Sequence, residues 1–502
     1  MRRLPAPLSL PRPLISLVML LAVGCYLAAF TPTPLGAPPF TVPTDSSTAP
    51  FAPTTLGDRI NQIIEENDAR AAFWGIYVQD LDTGRVLYRL NTDKTLMPAS
   101  NQKLLTTAAA LDALGRDYRY KTTLHLDGTL TNGLLRGDLL LEGAGDPSFG
   151  SRELTGEDPL ETWARALAAR GVTRIEGRII GDDDVFDDAP YAEGWDVSLL
   201  TTASYAPASS GLSYRDNLVT LKIQAVRPGA PPNVETVPPG YLTIRNRVTT
   251  QARGRRRNVR VDRRLGTEDL LLQGTVHATY RGQLDLPVYN PTTFTLYSFK
   301  QHLEAAGITV EAALVDIDDL AEKPDYKHAN ALYTYASPPL GEMLRLINKE
   351  SNNFYAEQVF RTFGWGGSAE GGEKRVKALL SRAGYAADGL SVRDGSGLSR
   401  KDLVSPEALG RLLGFMQKHP EHATFTASLP SGGERKTTLE GRLRDLSVQA
   451  KTGSLQYVRA LSGYTTGSDG HRLVFVILAN NYTARSSTIT RTIDQIVTTL
   501  TM

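Results

Sequence analysis

The stretch of residues 98–105 constrains the fold of this chain most. Apolar residues recur at Leu104, Ala108 and Leu111, the spacing of one helix face, and a glycine at position 115 stands where a helix would end. Ser100 is therefore predicted to open a helix. Lys103 follows one turn later on the same face. Whatever fold contains this helix must bring its first turn to a cleft if the two side chains are to react with a substrate.

Ser100 and Lys103 have the chemistry of a nucleophile and its base. A serine hydroxyl is a weak nucleophile at neutral pH, and a lysine amine that burial keeps neutral can accept its proton. The start of a helix adds unpaired backbone N–H groups and a positive dipole end, which stabilise an oxyanion. Because Ser-x-x-Lys arises by chance in most chains of this length, the pair indicates catalysis only if partners exist elsewhere.

The first 54 residues have the pattern of an export signal followed by a tether. Two arginines precede an apolar run over residues 14–30, which predicts a signal peptide or membrane anchor over residues 1–30. Cys25 follows a lipobox-like segment and is a candidate for lipidation, whereas an uncleaved anchor is the alternative. Residues 31–54, rich in Pro and Thr, predict a linker. Both alternatives place the globular part outside the cytoplasmic membrane, in the periplasm or an equivalent compartment.

Composition excludes several kinds of protein. The net charge is only +1, so no overall field favours nucleic acid or an acidic substrate, and the single cysteine allows no internal disulfide.

The arginine cluster between Arg253 and Arg264 has no interleaved aromatic residues and predicts a solvated hairpin tip, with contact to an anionic envelope polymer as the alternative. Residues 182–184, three aspartates, lack calcium-loop spacing and predict a solvated turn. No metal and no other cofactor is predicted.

A second candidate group lies between two predicted helices. Ser351 and Asn353 are two residues apart at a helix break, so both side chains can point into one cleft. There Ser351 can relay a proton between a lysine and a leaving amine, while the Asn353 amide can bind a substrate carbonyl. Taken alone, Ser-x-Asn is more often a helix cap.

The third candidate group lies on a late predicted strand. Lys451 and Thr452, placed on an edge strand that faces a cleft, can hold a substrate carboxylate by charge and hydroxyl. Gly453 permits a close backbone approach, and the N–H of Ser454 can pair with that of Ser100 as an oxyanion hole. Taken alone, this segment is an ordinary exposed strand.

The three groups together resemble the active-site set of penicillin-binding proteins and serine β-lactamases. They occur in the order of that set, and each lies on the element that its role requires. Far more residues separate Lys103 from Ser351 than a compact β-lactamase places there, which indicates inserted domains. With the segments 145–147 and 394–399, the chain resembles the class C low-molecular-mass penicillin-binding proteins, the D-alanyl-D-alanine carboxypeptidase/endopeptidase family, from about Leu56 to the C-terminus.

This resemblance implies an α+β fold. Its catalytic domain would have an antiparallel five-stranded sheet flanked by helices, interrupted by two smaller β-rich domains. The implied divisions are residues 55–120 and 330–502 for the catalytic domain, 121–214 and 288–329 for inserted domain II, and 215–287 for inserted domain III.

The resemblance also implies the chemistry. The substrates would be peptidoglycan stem peptides that end in D-Ala-D-Ala or are cross-linked to meso-diaminopimelate, and β-lactam antibiotics would be covalent inhibitors. The implied roles are Ser100 as acylated nucleophile, Lys103 as general base, Ser351 and Asn353 in proton transfer and substrate placement, Lys451 and Thr452 in carboxylate binding, and Asp146 as a residue that reaches the cleft from the insertion.

Two alternatives belong to other functional classes. A β-lactam hydrolase needs an efficient deacylating base, and the Glu-x-x-Leu-Asn pattern of class A enzymes is absent between Asn353 and Lys451. A non-catalytic envelope-binding protein would be expected to have lost Ser100 or Lys103, and both are present. Membrane contact is predicted only through the N-terminal segment, and the sequence makes no prediction of oligomeric state.

Overall fold

The computed structural model of the protein describes residues 55–66, 68–154, 156–324 and 329–502. The predicted signal peptide or anchor, the linker and Cys25 lie outside these residues. Within the described ranges, no helix combines the length and the apolar content that a membrane span requires.

The described residues contain the following helices and strands. The α-helices are α1 Leu56–Glu65, α2 Gln102–Leu114, α3 Pro159–Ala169, α4 Pro291–Ala305, α5 Leu340–Asn348, α6 Asn353–Phe363, α7 Ala369–Arg382, α8 Pro406–Met416, α9 His422–Ser428 and α10 Ser486–Leu500. The first strands are β1 Phe73–Asp80, β2 Val86–Leu90, β3 Lys121–Thr131, β4 Leu134–Glu142, β5 Arg174–Asp182, β6 Leu218–Gln224, β7 Asn233–Val237, β8 Thr243–Gln251 and β9 Arg257–Arg263. The later strands are β10 Asp269–His277, β11 Arg281–Pro287, β12 Thr309–Val310, β13 Ala313–Asp316, β14 Asn330–Ala336, β15 Val448–Leu455, β16 Val458–Thr466 and β17 Arg472–Asn480.

The sheet that carries the site has the strand order β15-β16-β17-β1-β2, and all its pairs are antiparallel. Strand β17 is apolar along nearly its whole length because both faces of the sheet are covered. Val474 and Val476 pack into the core cluster that contains α2, whereas Phe475 and Ile477 pack into the cluster that contains α1 and α10. The predicted five-stranded antiparallel sheet between helices is confirmed.

Helix α2 lies in the middle of the core cluster into which Val474 and Val476 of β17 pack. It packs against α5, α6, α7 and α8, so its residues from Gln102 to Leu111 are buried on every side. Gly115 ends the helix with a φ of 78°, as the sequence predicts. A helix surrounded in this way holds its first turn rigidly, which is what a reactive Ser100 and Lys103 require.

The chain between α2 and α5 builds three further sheets over a separate core cluster. One has six strands, β3, β4, β5, β12, β13 and β14, and two have three strands each, in the orders β11-β6-β7 and β8-β10-β9. Asn132 and Gly133 make the two-residue β3–β4 turn, both with positive φ. The dipeptide Asp127-Gly128 also predicts a turn by its residue types, but this prediction is wrong, because both residues lie inside β3 opposite Asp138 and Gly137. The division into inserted domains II and III stays a prediction.

The arginine cluster differs from the predicted hairpin tip. Strand β10 lies between β8 and β9, and it runs parallel to β8 and antiparallel to β9. Residues 253–256 therefore lie in a connection that crosses from one side of β10 to the other, and not at a hairpin tip. These arginines are exposed, as expected. The side chain of Arg263, in contrast, is only 3% exposed; it donates to the Thr267 carbonyl at 2.7 Å and pairs with Glu268. One arginine of the cluster is therefore structural rather than solvated.

The predicted solvated turn at residues 182–184 is also only partly right. Asp183 accepts hydrogen bonds from the hydroxyls of Ser210, at 2.9 Å, and Thr292, at 2.6 Å. Burial raises the pKa of its carboxyl to about 6, and the nearby charge of Asp316 adds to this. The aspartate therefore ties β5 to α4 instead of facing solvent.

Candidate active site

Ser100 lies in a single 3₁₀ turn, Ala99–Asn101, that leads directly into α2. The turn is joined to the edge of the five-stranded sheet through Asn101. The Asn101 amide donates to the backbone carbonyl of Lys451 at 2.8 Å, and its oxygen accepts from the Ser462 hydroxyl at 2.6 Å. The nucleophile turn and the strand predicted to bind the carboxylate are thus held together by a fully buried amide.

The amine of Lys103 meets three oxygen atoms. Its Nζ lies 3.3 Å from Ser100 Oγ, 2.6 Å from Asn353 Oδ1 and 2.6 Å from the backbone carbonyl of Ser396. The amide oxygen and the carbonyl can only accept, and a neutral amine has two N–H bonds to give them. Its lone pair is then left for the hydroxyl proton of Ser100, which is the geometry that a general base needs.

Burial determines the charge of Lys103. The side chain is fully buried, and this desolvation lowers the pKa of its amine to about 7, although the charges of Asp394, Glu357 and Asp402 behind it act to raise the pKa. Burial and the nearby charge of Lys103 hold the pKa of Lys451 well below its usual range. The two amines therefore cannot readily be charged together in the free protein.

Ser351 faces Lys451 rather than capping a helix. It lies between α5 and α6 with a φ of 62°, and its Oγ is 3.0 Å from the Lys451 Nζ. The cap of α6 is the neighbouring Asn352, whose side chain accepts from the N–H of Tyr355 at 3.0 Å. With that role filled by Asn352, the Ser351 hydroxyl is available to the cleft.

Strand β15 is the edge strand of the five-stranded sheet and carries Lys451 to Ser454. At Gly453 a Cβ atom would lie 2.8 Å from the Pro98 carbonyl and 3.3 Å from the Ala99 Cβ, so a side chain there would push the strand away from the nucleophile turn. Thr452 is half-buried and Ser454 is exposed. The roles assigned to these residues, including the oxyanion hole, stay predictions.

Asp146 lies in the loop between β4 and α3, in the insertion. Its carboxylate turns back onto its own loop, where it accepts from the N–H and the hydroxyl of Ser148 at 2.7 and 2.6 Å. Burial, with 2% of the residue exposed, raises the pKa of this carboxyl to about 6. Asp146 is thus a buried turn residue in the free protein, and its predicted role at the cleft stays a prediction.

The sequence patterns did not identify the Ser396 carbonyl, or the carboxyl groups of Asp394 and Glu357, as parts of the site. The segment 394–399 drew attention only as part of a family resemblance. No side-chain pattern could have revealed the contact with Lys103, because every residue carries a backbone carbonyl. The buried Asp394 and Glu357 lie near Lys103, and no residue spacing in the sequence predicts this.

Comparison with known proteins gives this geometry its context. The chain matches the model of the D-Ala-D-Ala carboxypeptidase 3 (S13) family over residues 56–500. The chain belongs to this family. It is 33% identical over 454 residues to a D-alanyl-D-alanine carboxypeptidase of Actinomadura sp. strain R39, covering 86% of this chain and 81% of that protein. It is 24% identical to the D-alanyl-D-alanine carboxypeptidase DacB of Haemophilus influenzae over 86% of this chain and 89% of that protein.

The fold agrees with the family. The crystal structure of penicillin binding protein 4 from Haemophilus influenzae superposes with a TM-score of 0.74, at 23% identity, over 87% of this chain and 97% of that one. The predicted family, the penicillin-binding fold and the carboxypeptidase class of hydrolase are thereby confirmed.

Proposed function

We propose that the protein hydrolyses D-alanyl-D-alanine ends, and cross-links of the same kind, in peptidoglycan stem peptides through an acyl-enzyme on Ser100. The observation that carries this proposal is the amine of Lys103, which is fully buried and lies 3.3 Å from the Ser100 hydroxyl. An amine without its proton beside a serine is the arrangement that activates a weak nucleophile.

The residues divide the reaction into two steps. Lys103 takes the proton of Ser100 as the oxygen attacks the carbonyl carbon of the penultimate D-alanine. The bond to the terminal D-alanine nitrogen then breaks, and Ser351 relays to that nitrogen the proton that Lys103 took up, so the Lys103 amine is neutral again. A water molecule hydrolyses the resulting ester and restores the serine. Asn353 holds the substrate carbonyl, and the N–H groups of Ser100 and Ser454 stabilise the oxyanion.

Lys451 and Thr452 bind the terminal carboxylate of the substrate. In the free protein Lys451 is fully buried and donates to Ser351 and to the Thr452 carbonyl at 3.0 and 2.9 Å. An arriving carboxylate raises the pKa of Lys451 because opposite charges favour the protonated amine. A substrate without a free carboxylate beside the scissile bond lacks this effect, so the site selects for peptides that carry one, whether the bond is at a chain end or in a cross-link.

An extracytoplasmic location fits a family of this activity, and β-lactam antibiotics are expected to acylate the same serine. We propose that the N-terminal segment of residues 1–30 supplies the export signal, with lipidation of Cys25 or an uncleaved anchor as its membrane attachment. Contact with the membrane is confined to that segment.

The test combines covalent labelling with product analysis. A fluorescent penicillin is expected to add one adduct, which intact-mass analysis and peptide mapping locate on Ser100, and the protein is expected to release D-alanine from a stem pentapeptide. Ser100→Ala should do neither. An adduct on another serine would contradict the assignment, and rapid turnover of nitrocefin instead of slow decay of the acyl-enzyme would indicate a β-lactam hydrolase.

Acylation is expected to depend on pH through Lys103. Since only the unprotonated amine is a base, and burial lowers its pKa to about 7, the acylation rate constant should rise about tenfold per pH unit below pH 7 and level off above it. Stopped-flow acylation by penicillin from pH 5 to 9 measures this profile. A midpoint near 10, the value of a solvated lysine, would contradict a base whose pKa is lowered by burial.

A further inference from the structure

Both acceptors that hold the Lys103 amine are themselves held by one segment of the insertion, residues 193–205. One acceptor is the Ser396 carbonyl, in a loop that Trp195 binds through Asp394, and the other is Asn353, which the Tyr205 carbonyl binds. We propose that Trp195 and the backbone of this segment are positioning elements for the Lys103 amine, so that the insertion controls the rate of Ser100 acylation. This inference rests on the proposed function.

Asp394 organises the loop that presents the Ser396 carbonyl. One oxygen of its carboxylate accepts from the N–H groups of Ser396 and Gly397 at 3.1 and 2.6 Å. The other accepts from the Ser396 hydroxyl and the Ser399 N–H, both at 2.9 Å, and from the indole N–H of Trp195 at 2.7 Å. Because Asp394 is fully buried and all these partners donate, its position sets the position of the loop.

The same loop also touches the nucleophile turn. Gly397 has a φ of 84°, and a Cβ at this position would lie 1.9 Å from the Ala99 carbonyl. The loop therefore fits between Trp195 on one side and the turn of Ser100 on the other. A displacement at Trp195 is transmitted to the Ser396 carbonyl and to the space beside Ser100.

Trp195 is well placed to act as a fixed donor. Only 8% of the residue is exposed, and it packs with Ala192, Ala206 and partly buried neighbours that include Leu398 of the loop. A second contact runs in parallel, since the Ser399 hydroxyl donates to the backbone carbonyl of Glu193 at 2.6 Å. The Ser399 contact thus adds to that of Trp195 in holding the loop.

The Tyr205 carbonyl determines how the Asn353 amide is turned. It accepts from Asn353 Nδ2 at 2.8 Å, which leaves Oδ1 directed at the Lys103 amine. If the amide rotated by half a turn, its N–H₂ group could bind only the lone pair of the neutral Lys103 amine, which the Ser100 hydroxyl proton needs. A backbone carbonyl from the insertion therefore selects the productive orientation of Asn353.

The test compares single-contact variants in acylation kinetics. Trp195→Phe removes the indole donor and keeps an aromatic ring, and Ser399→Ala removes the second contact. We expect the acylation rate constant for penicillin to fall about tenfold in Trp195→Phe and about threefold in Ser399→Ala, with the non-covalent dissociation constant unchanged. The pH midpoint of acylation should move upward in Trp195→Phe, because a loosened loop hydrates the Lys103 amine and raises its pKa.

Trp74→Phe is the matched control. Trp74 is also buried and its indole N–H also donates one hydrogen bond, to the Ala69 carbonyl at 2.9 Å, but it lies in the core cluster on the other face of the sheet. The Trp74→Phe variant should be less stable than the wild type, with the same acylation rate constant and the same pH midpoint of acylation. Wild-type kinetics and midpoint in both Trp195→Phe and Ser399→Ala would overturn the inference. A wild-type protein that is not acylated on Ser100 would instead overturn the proposed function.

Discussion

Replacing Lys103 with methionine is expected to lower the rate constant for acylation of Ser100 by about a thousandfold or more. Methionine keeps an unbranched side chain in the buried space but removes the amine that lies 3.3 Å from the serine hydroxyl. The carbonyl of Ser396 and the amide oxygen of Asn353 then lose their shared donor as well. The substitution therefore removes both the base and the hydrogen bonds that hold it in place.

Stopped-flow measurement of penicillin acylation, with intact-mass detection of the adduct, tests this expectation. Lys374→Met is the control, because Lys374 is an exposed lysine that pairs with the exposed Glu370 one turn away on α7. The control should acylate at the wild-type rate. If Lys103→Met retained a rate constant within tenfold of the wild type, another group would have to be the base.

The second large effect concerns stability. Arg361→Met is expected to lower the free energy of unfolding by about 3 kcal/mol. The Arg361 side chain is 1% exposed and lies 3.3 Å from Glu357 and 2.5 Å from Asp187. Glu357 is equally buried and also accepts from the N–H of Gly395 at 2.8 Å. Without the guanidinium, the Glu357 carboxylate is left buried without its counter-charge.

The destabilisation should depend on pH in a defined direction. Burial raises the pKa of Glu357 to about 7, and Arg361 acts against this rise. In Arg361→Met the pKa of Glu357 in the folded state rises further, so the folded variant favours a protonated Glu357. Above pH 7 the variant therefore loses more stability than the wild type does. Urea unfolding should therefore show a larger deficit at pH 8 than at pH 6.

The double variant Arg361→Met/Glu357→Gln separates charge from packing. It removes both charges, so most of the lost stability should return and the pH dependence should disappear. Lys374→Met again serves as a control for an exposed ion pair and should leave the unfolding curve unchanged. An Arg361→Met variant as stable as this control would contradict the buried-charge interpretation.

The elements closest to the chemistry were predictable because their signals are local. The three-residue spacing of Ser100 and Lys103 places both on one helical face, and the apolar run of β17 requires a strand covered on both sides. The break at Ser351 also lies where the two helical patterns stop. In each case, neighbours along the chain decide the structure.

Other predictions failed because non-local contacts decided the structure. Asp127 and Gly128 form a good turn sequence, yet pairing with β4 keeps them inside β3. Arg263 carries a charge that favours solvent, but Glu268 and two backbone carbonyls hold it in the interior.

The sequence by itself determined which groups are candidates for the reaction, since Ser100, Lys103, Ser351, Asn353 and Lys451 are marked by residue type, spacing and order along the chain. Only the tertiary structure decided what holds the lysine amine and lowers its pKa. Desolvation depends on everything packed around a group, and the Ser396 and Tyr205 contacts are made by backbone carbonyls, which every residue has and no residue type reveals.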